Sequence, residues 1–167
     1  NPSDFLKEFA HRCIDMGAHA VLGHGPHLLR PLEIYKNRPI FYSLGDFVIH
    51  NECIPFAPEE MFASKGLTSD STMREFFCKR SNNYTRGLMR DRRMLESVIP
   101  YFEMENGVLT KLELMPIELQ FDEPVWKNGN PRFSASHGII ERLAKMSSQY
   151  GTNISIDDRG YGIVELK

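Results

Sequence analysis

Between residues 5 and 14 the apolar residues Phe5, Leu6, Phe9, Ala10, Cys13 and Ile14 recur at i, i+1, i+4, i+5, i+8 and i+9. That spacing predicts a helix with one buried stripe. Asn1 offers an N-cap, Pro2 a first helical position, Asp4 an acid in the first turn and Gly17 a stop. Ala20-Val21-Leu22 follows as a short apolar run and breaks abruptly into Gly23-His24-Gly25-Pro26-His27. Helix, strand and polar loop in that order are half of an α/β unit, and such folds collect their sites at the carboxyl ends of strands.

Two alternating, β-rich runs, 32–35 and 40–43, flank Lys36-Asn37-Arg38-Pro39 and read as a hairpin with those four residues at its turn. Leu44-Gly45-Asp46 then breaks the strand, so 43–46 is expected to form a tight turn in which Gly45 permits close backbone approach. Periodicity fades over 51–96, an expected irregular insertion or lid, with 71–79 and 85–96 as its candidate short helices. Asn106-Gly107 between the apolar runs 97–105 and 108–119 is the strongest hairpin signal in the chain. Asn128-Gly129-Asn130-Pro131 reads as a surface turn, 139–147 as a second amphipathic helix ending near Gly151, and 163–166 as a closing strand. Phe5, Phe9, Tyr101 and Phe102 fall at helix or strand spacing and are expected in the core. The fold class is α/β or α+β, in a single domain over residues 1–167.

Composition narrows the class further. A chain of 167 residues with 41% hydrophobic and 25% charged residues is an ordinary globular protein, which excludes collagen-like, coiled-coil and wholly disordered classes. The net charge of −2 gives no general nucleic-acid footprint. It is unevenly spread: residues 74–96 carry seven basic and three acidic side chains, a local +4 that leaves −6 for the rest. Arg86, Arg90, Arg92 and Arg93 could bind phosphates or carboxylates of an anionic polymer through their forked guanidinium groups, or could form a solvated face. Cys13, Cys53 and Cys78 form no CxxC pair, and this usage leans toward a reducing compartment.

The sharpest chemical feature is His24-x-x-His27 on a loop shaped by glycine and proline. Two imidazoles three residues apart can address one divalent ion or two adjacent ones, or can cap turns through hydrogen bonds. Two histidines alone are an incomplete metal site, since catalytic ions normally take three or more protein ligands. Asp46 could orient one of the histidines or cap its own turn. His50 and Glu52 could approach the same cleft, whereas His11, His19 and His137 are assigned to structure or surface.

In the order 17–27, then Pro31-Leu32-Glu33-Ile34-Tyr35, then Ile40-Phe41-Tyr42-Ser43-Leu44-Gly45-Asp46-Phe47, these blocks resemble the carboxyl-terminal half of the CapA family of bacterial capsule and poly-γ-glutamate synthesis. The resemblance continues through Asn106-Gly107, Leu114-Met115-Pro116, the helix at 139–148 and Tyr150-Gly151-Thr152, and leaves out 51–96. It implies the carboxyl-terminal part of an αββα sandwich similar to the calcineurin-like metallophosphoesterases. His24 and His27 would be the last histidine ligands of a dinuclear Mn, Fe or Zn site, acting in the intact protein as a metal-dependent hydrolase on a phosphoester. Asp46 stands where the family more often has Asn. The motifs for the remaining ligands lie upstream in the family and are not found here, so the chain, which begins without Met, is expected to be a fragment. Further expectations are an anionic polymer or phosphoester as partner, self-association through exposed sheet edges, and an envelope location, with the cytoplasm left open. The rival reading is a non-catalytic, polyanion-binding or structural subunit of a polymer-synthesis system.

Overall fold

The computed structural model describes residues 1–87, 90–121 and 126–166. Helix α1 (Asp4–Asp15) is capped by Ser3, not by Asn1: Ser3 has extended backbone and its hydroxyl accepts the Leu6 N–H at 3.4 Å. The helix lies on a three-stranded sheet of order β1-β3-β2, built from β1 (Val21–Leu22), β2 (Leu32–Tyr35) and β3 (Arg38–Phe41). Strand β1 runs parallel to β3 and β2 antiparallel to it. Lys36 and Asn37, at φ of 50° and 60°, make a two-residue turn, so Arg38 and Pro39 belong to β3.

The period of two along β3 sorts its side chains between two cores. Ile40 and Tyr42 face α1 with Ala10 and Ile14, while Phe41 and its partner Leu32 face the other way. Three strands cover only a narrow helix face, and α1 meets them through Leu6, Ala10 and Ile14. Phe5 and Phe9 lie to one side of that line, stacked on each other at 6.3 Å and exposed at 76% and 52%. They are surface residues, which corrects the expected core assignment. Tyr101 is also exposed, its hydroxyl donating to Glu103, whereas Phe102 packs on the core as expected.

A second, antiparallel sheet has the order β4-β5-β8-β7, from β4 (Glu96–Glu105), β5 (Val108–Leu119), β7 (Ile154–Ile156) and β8 (Gly162–Val164), with β6 (Pro131–Phe133) paired on β5. The Asn106-Gly107 turn closes β4 and β5 as its composition predicts. Glu103 pairs with Lys111 and Met104 with Leu109, so Thr110 is an extra residue in β5. This bulge lets Leu109 and Leu112, three apart, both turn inward. Helix α4 (Gly138–Ser147) adds Ile139, Ile140 and Leu143, and one core thereby joins Leu32 and Phe41 of the first sheet to Leu112, Leu114 and Val164 of the second.

Strand β2 is an edge, and its outward N–H groups need acceptors. Ser147, at the end of α4, accepts the Leu32 N–H at 2.9 Å, and Thr152 accepts the Ile34 N–H at 3.2 Å. Because Ser147 is fully buried, Ser147→Ala should strand the Leu32 N–H and cost about 1–3 kcal/mol in urea unfolding. A loss below about 0.5 kcal/mol would mean that another acceptor replaces the hydroxyl.

The insertion has its own small core, Phe62, Met73 and Phe76, contributed by α2 (Glu59–Ala63) and α3 (Met73–Ser81). Thr72 and Glu75 form a capping box that starts α3 two residues beyond the expected 71. The helix expected over 85–96 does not form. Asn82, Asn83, Tyr84 and Gly87 all have positive φ, which stops helical propagation, and the described residues of this stretch include a short 3₁₀ turn at Arg92–Leu95, capped by Asp91. Residues 88 and 89 of that expected helix lie outside the described residues. The turn at 128–131 is not wholly on the surface: Gly129 is buried, donating to the Gln120 carbonyl and accepting the Ile49 N–H. Among the described residues no helix is long and apolar enough to cross a membrane.

Candidate functional site

Parallel pairing decides where the histidines go. Because β1 and β3 run the same way, with Leu22 beside Phe41, their carboxyl ends emerge together. The loop 23–28 leaving β1 therefore lies against the turn 43–46 that follows β3. Gly23 is the junction: its N–H donates to the Phe41 carbonyl at 2.7 Å, and its carbonyl accepts the Leu44 N–H at 3.1 Å. Gly45, at φ 76°, is buried where a Cβ would lie 2.9 Å from the Glu96 carbonyl oxygen. That is the close approach expected of it. Ser97 holds the same turn to β4 by donating to the Leu44 carbonyl at 2.5 Å, a contribution that a serine in a strand does not announce in sequence.

Both histidines use Nδ1 to hold this turn. Nδ1 of His27 lies 2.8 Å and 3.0 Å from the two carboxylate oxygens of Asp46, and Nδ1 of His24 lies 3.3 Å from the Gly45 carbonyl oxygen. His27 has φ 55°, a left-handed conformation uncommon outside glycine. With Nδ1 engaged on an oxygen, Nε2 of each ring is the nitrogen left for a ligand, the tautomer that metal-binding histidines adopt when an oxygen partner fixes them. Among the described residues no group of three or more His, Cys, Asp or Glu side chains converges on a metal position. The loop thus offers two nitrogen donors, fewer than an ion requires, and by itself this donor set does not make a complete centre.

The other candidates divide between two places. His50 and Glu52 line a cavity whose walls include neither His24 nor His27, and Glu52 accepts the Tyr84 hydroxyl. Arg86 lines the same cavity, while Arg90 donates from Nε to the Tyr84 carbonyl. Arg93 grips both oxygens of Asp91, at 2.9 Å and 2.5 Å, and Arg92 stands 3.6 Å from Glu96 and 3.4 Å from Glu118. The four arginines therefore do not form one patch, and two of them already have carboxylate partners. Cys13, Cys53 and Cys78 are free thiols. His11 bonds Glu33 at 3.0 Å and stacks on Tyr35, as a structural histidine should. Glu33 also accepts the Tyr42 hydroxyl, and burial together with that carboxylate pushes the Tyr42 phenol well above the usual tyrosine range.

The match to a known family falls on this same region. Residues 1–51 match the family described as Bacterial capsule synthesis protein PGA_cap. Over nearly its whole length, 99%, the chain is 34% identical to the uncharacterized protein y4sH of Sinorhizobium fredii, of which it spans 38%. It is 46% identical over 48 residues to the PGA biosynthesis protein CapA of Bacillus subtilis, a match covering 29% of this chain and 13% of that protein. Over 40 residues, 24% of this chain and 10% of the relative, it is 55% identical to a probable polyglutamine synthesis accessory protein of Mycobacterium tuberculosis. Residues 1–51, the span that holds the histidine loop and the turn beneath it, thus match the capsule-synthesis family to which the CapA proteins are similar.

Proposed function

We propose that this chain is a region of a CapA-like protein serving the synthesis of a bacterial capsule or poly-γ-glutamate polymer at the cell envelope. The observation that carries the reading is the PGA_cap match over residues 1–51, the span that contains His24, His27 and Asp46. The finer reading is a metallophosphoesterase-like hydrolase in which this chain contributes His24 and His27 as two ligands of a divalent ion. An ion such as Mn, Fe or Zn would supply Lewis acidity toward a phosphoester. The chain's own part is to fix the two rings: Asp46 and the Gly45 carbonyl hold Nδ1, and Gly23, Gly45 and Ser97 hold the backbone beneath them. That support favours a ligand role over a turn-capping one, since both histidines are exposed and an exposed cap needs no such anchoring. The rival reading, retention of an anionic polymer without catalysis, draws on Arg86 and Arg90, the two of the four arginines that have no carboxylate partner among the described residues.

The test is elemental analysis of the full-length protein beside its His24→Ala/His27→Ala double variant, with circular dichroism to confirm folding. The variant is expected to lose at least half of the bound metal, and in a producing strain to lower polymer yield. Unchanged metal content would overturn the ligand assignment. A producing strain that keeps full polymer yield when the whole gene is deleted would overturn the role in synthesis.

A further inference from the structure

The insertion encloses a cavity of about 420 Å³ between the 3₁₀ turn Asn51–Cys53, the end of α3 and residues 84–87. That volume lies within the range of small-molecule sites. Ile49, Phe77 and Met94 give it an apolar wall, and Arg80 and Arg86 also line it. The acids on the lining are already engaged. Glu52 accepts the Tyr84 hydroxyl, and Asp91 is held by two nitrogens of Arg93, which keep its carboxyl below the usual range. Arg80 stands over the Phe77 ring at 5.9 Å, which places its charge at the apolar wall. Neither Arg80 nor Arg86 has a carboxylate partner among the described residues.

An apolar chamber whose carboxylates are occupied and whose two arginines have no carboxylate partner among the described residues suits one chemical class. We propose that this cavity binds a small organic anion, a carboxylate or phosphate head on an apolar body, with Arg80 and Arg86 on the head and Phe77, Ile49 and Met94 against the body. The inference does not depend on a metal at the histidine loop. It does place the ligand near that loop: Ile49 follows Asp46 by three residues, which holds their Cα atoms within roughly 11 Å. The insertion is then a specificity element for this region rather than a solvated excursion.

The test is a titration of ¹⁵N-labelled protein with phenyl phosphate, phenylacetate, benzyl alcohol and inorganic phosphate, reading the amide shifts of Cys53, Tyr84 and Gly87. At least one of the two aromatic anions should move these amides and bind at least tenfold more tightly than benzyl alcohol and inorganic phosphate. Which anion binds better identifies the head group. Arg80→Met/Arg86→Met should abolish the preference over benzyl alcohol, and Arg80→Lys should retain part of it, which separates lost charge from lost structure. Benzyl alcohol binding as well as both anions, inorganic phosphate binding as well as either, or no shift at these three amides would each overturn the proposal.

Discussion

Gly23→Ala should destabilise the protein by about 3 kcal/mol, the upper part of the range for forced overpacking. A Cβ at this position would lie 2.6 Å from the Tyr42 carbonyl oxygen and 2.8 Å from that of Phe41. Both obstacles are backbone, so no side chain can swing away. The only relief is to spread β1 from β3, which breaks the hydrogen bonds on either side of Gly23 and tilts the histidine loop off the turn at 43–46. Gly151→Ala is the comparison: its φ of 72° carries a cost of about 1–2 kcal/mol for a left-handed residue, but nothing lies within 4 Å of the new methyl group. Urea midpoints of the two variants measure the difference. If Gly23→Ala were no worse than Gly151→Ala, the junction would be looser than described.

Ile140→Ala should cost about 3–4 kcal/mol, the usual range for emptying a buried aliphatic site. Ile140 is fully buried on α4, and its methyl groups press on Gly162 so closely that a Cβ there would come within 3.0 Å. The helix thus closes over the second sheet at a point where the sheet carries no side chain, and an alanine would leave a void that neither side can fill. Phe5→Ala, although it removes a larger side chain, should shift stability by no more than about 0.5 kcal/mol, because the ring is 76% exposed. Reversal of that order in thermal or urea unfolding would contradict the packing of α1 and α4.

The contrast between these residues marks what local pattern can reveal. Phe5 and Ile140 both sit in periodic helical stripes, and periodicity alone says that a stripe exists, not how wide the surface beneath it is. Asn106-Gly107 announced its hairpin because both residues must adopt positive φ, a demand that lies within the turn itself. The three-residue strands β6, β7 and β8 have too few positions to alternate and exist because a neighbour presents an edge to them, the long β5 to β6 and β8, and β8 in turn to β7. At the candidate site, the histidine spacing and the glycines around it were legible. The bond between His27 and Asp46 was legible only as one of two roles for Asp46, since it depends on a parallel pairing 19 residues apart. The cavity in the insertion assembles Ile49, Arg80, Arg86 and Met94 through loops with left-handed turns, and no period runs through them.

The hydroxyls of Ser147 and Thr152 on the edge of β2 bear on what counts as a unit in this protein. The family match stops at residue 51, yet the strand it contains is finished by groups about a hundred residues later in the chain. Leu32 and Phe41 likewise have their covering surface in α4 and the second sheet. A peptide ending at the boundary of the match would carry both histidines and Asp46 with bare amides along one side and uncovered apolar residues beneath. The segment that the family match marks out is therefore not what physics permits to stand alone: the histidine loop lies within the first fifty residues, but the sheet that carries it is completed and covered only by α4, Thr152 and the second sheet folded back on it.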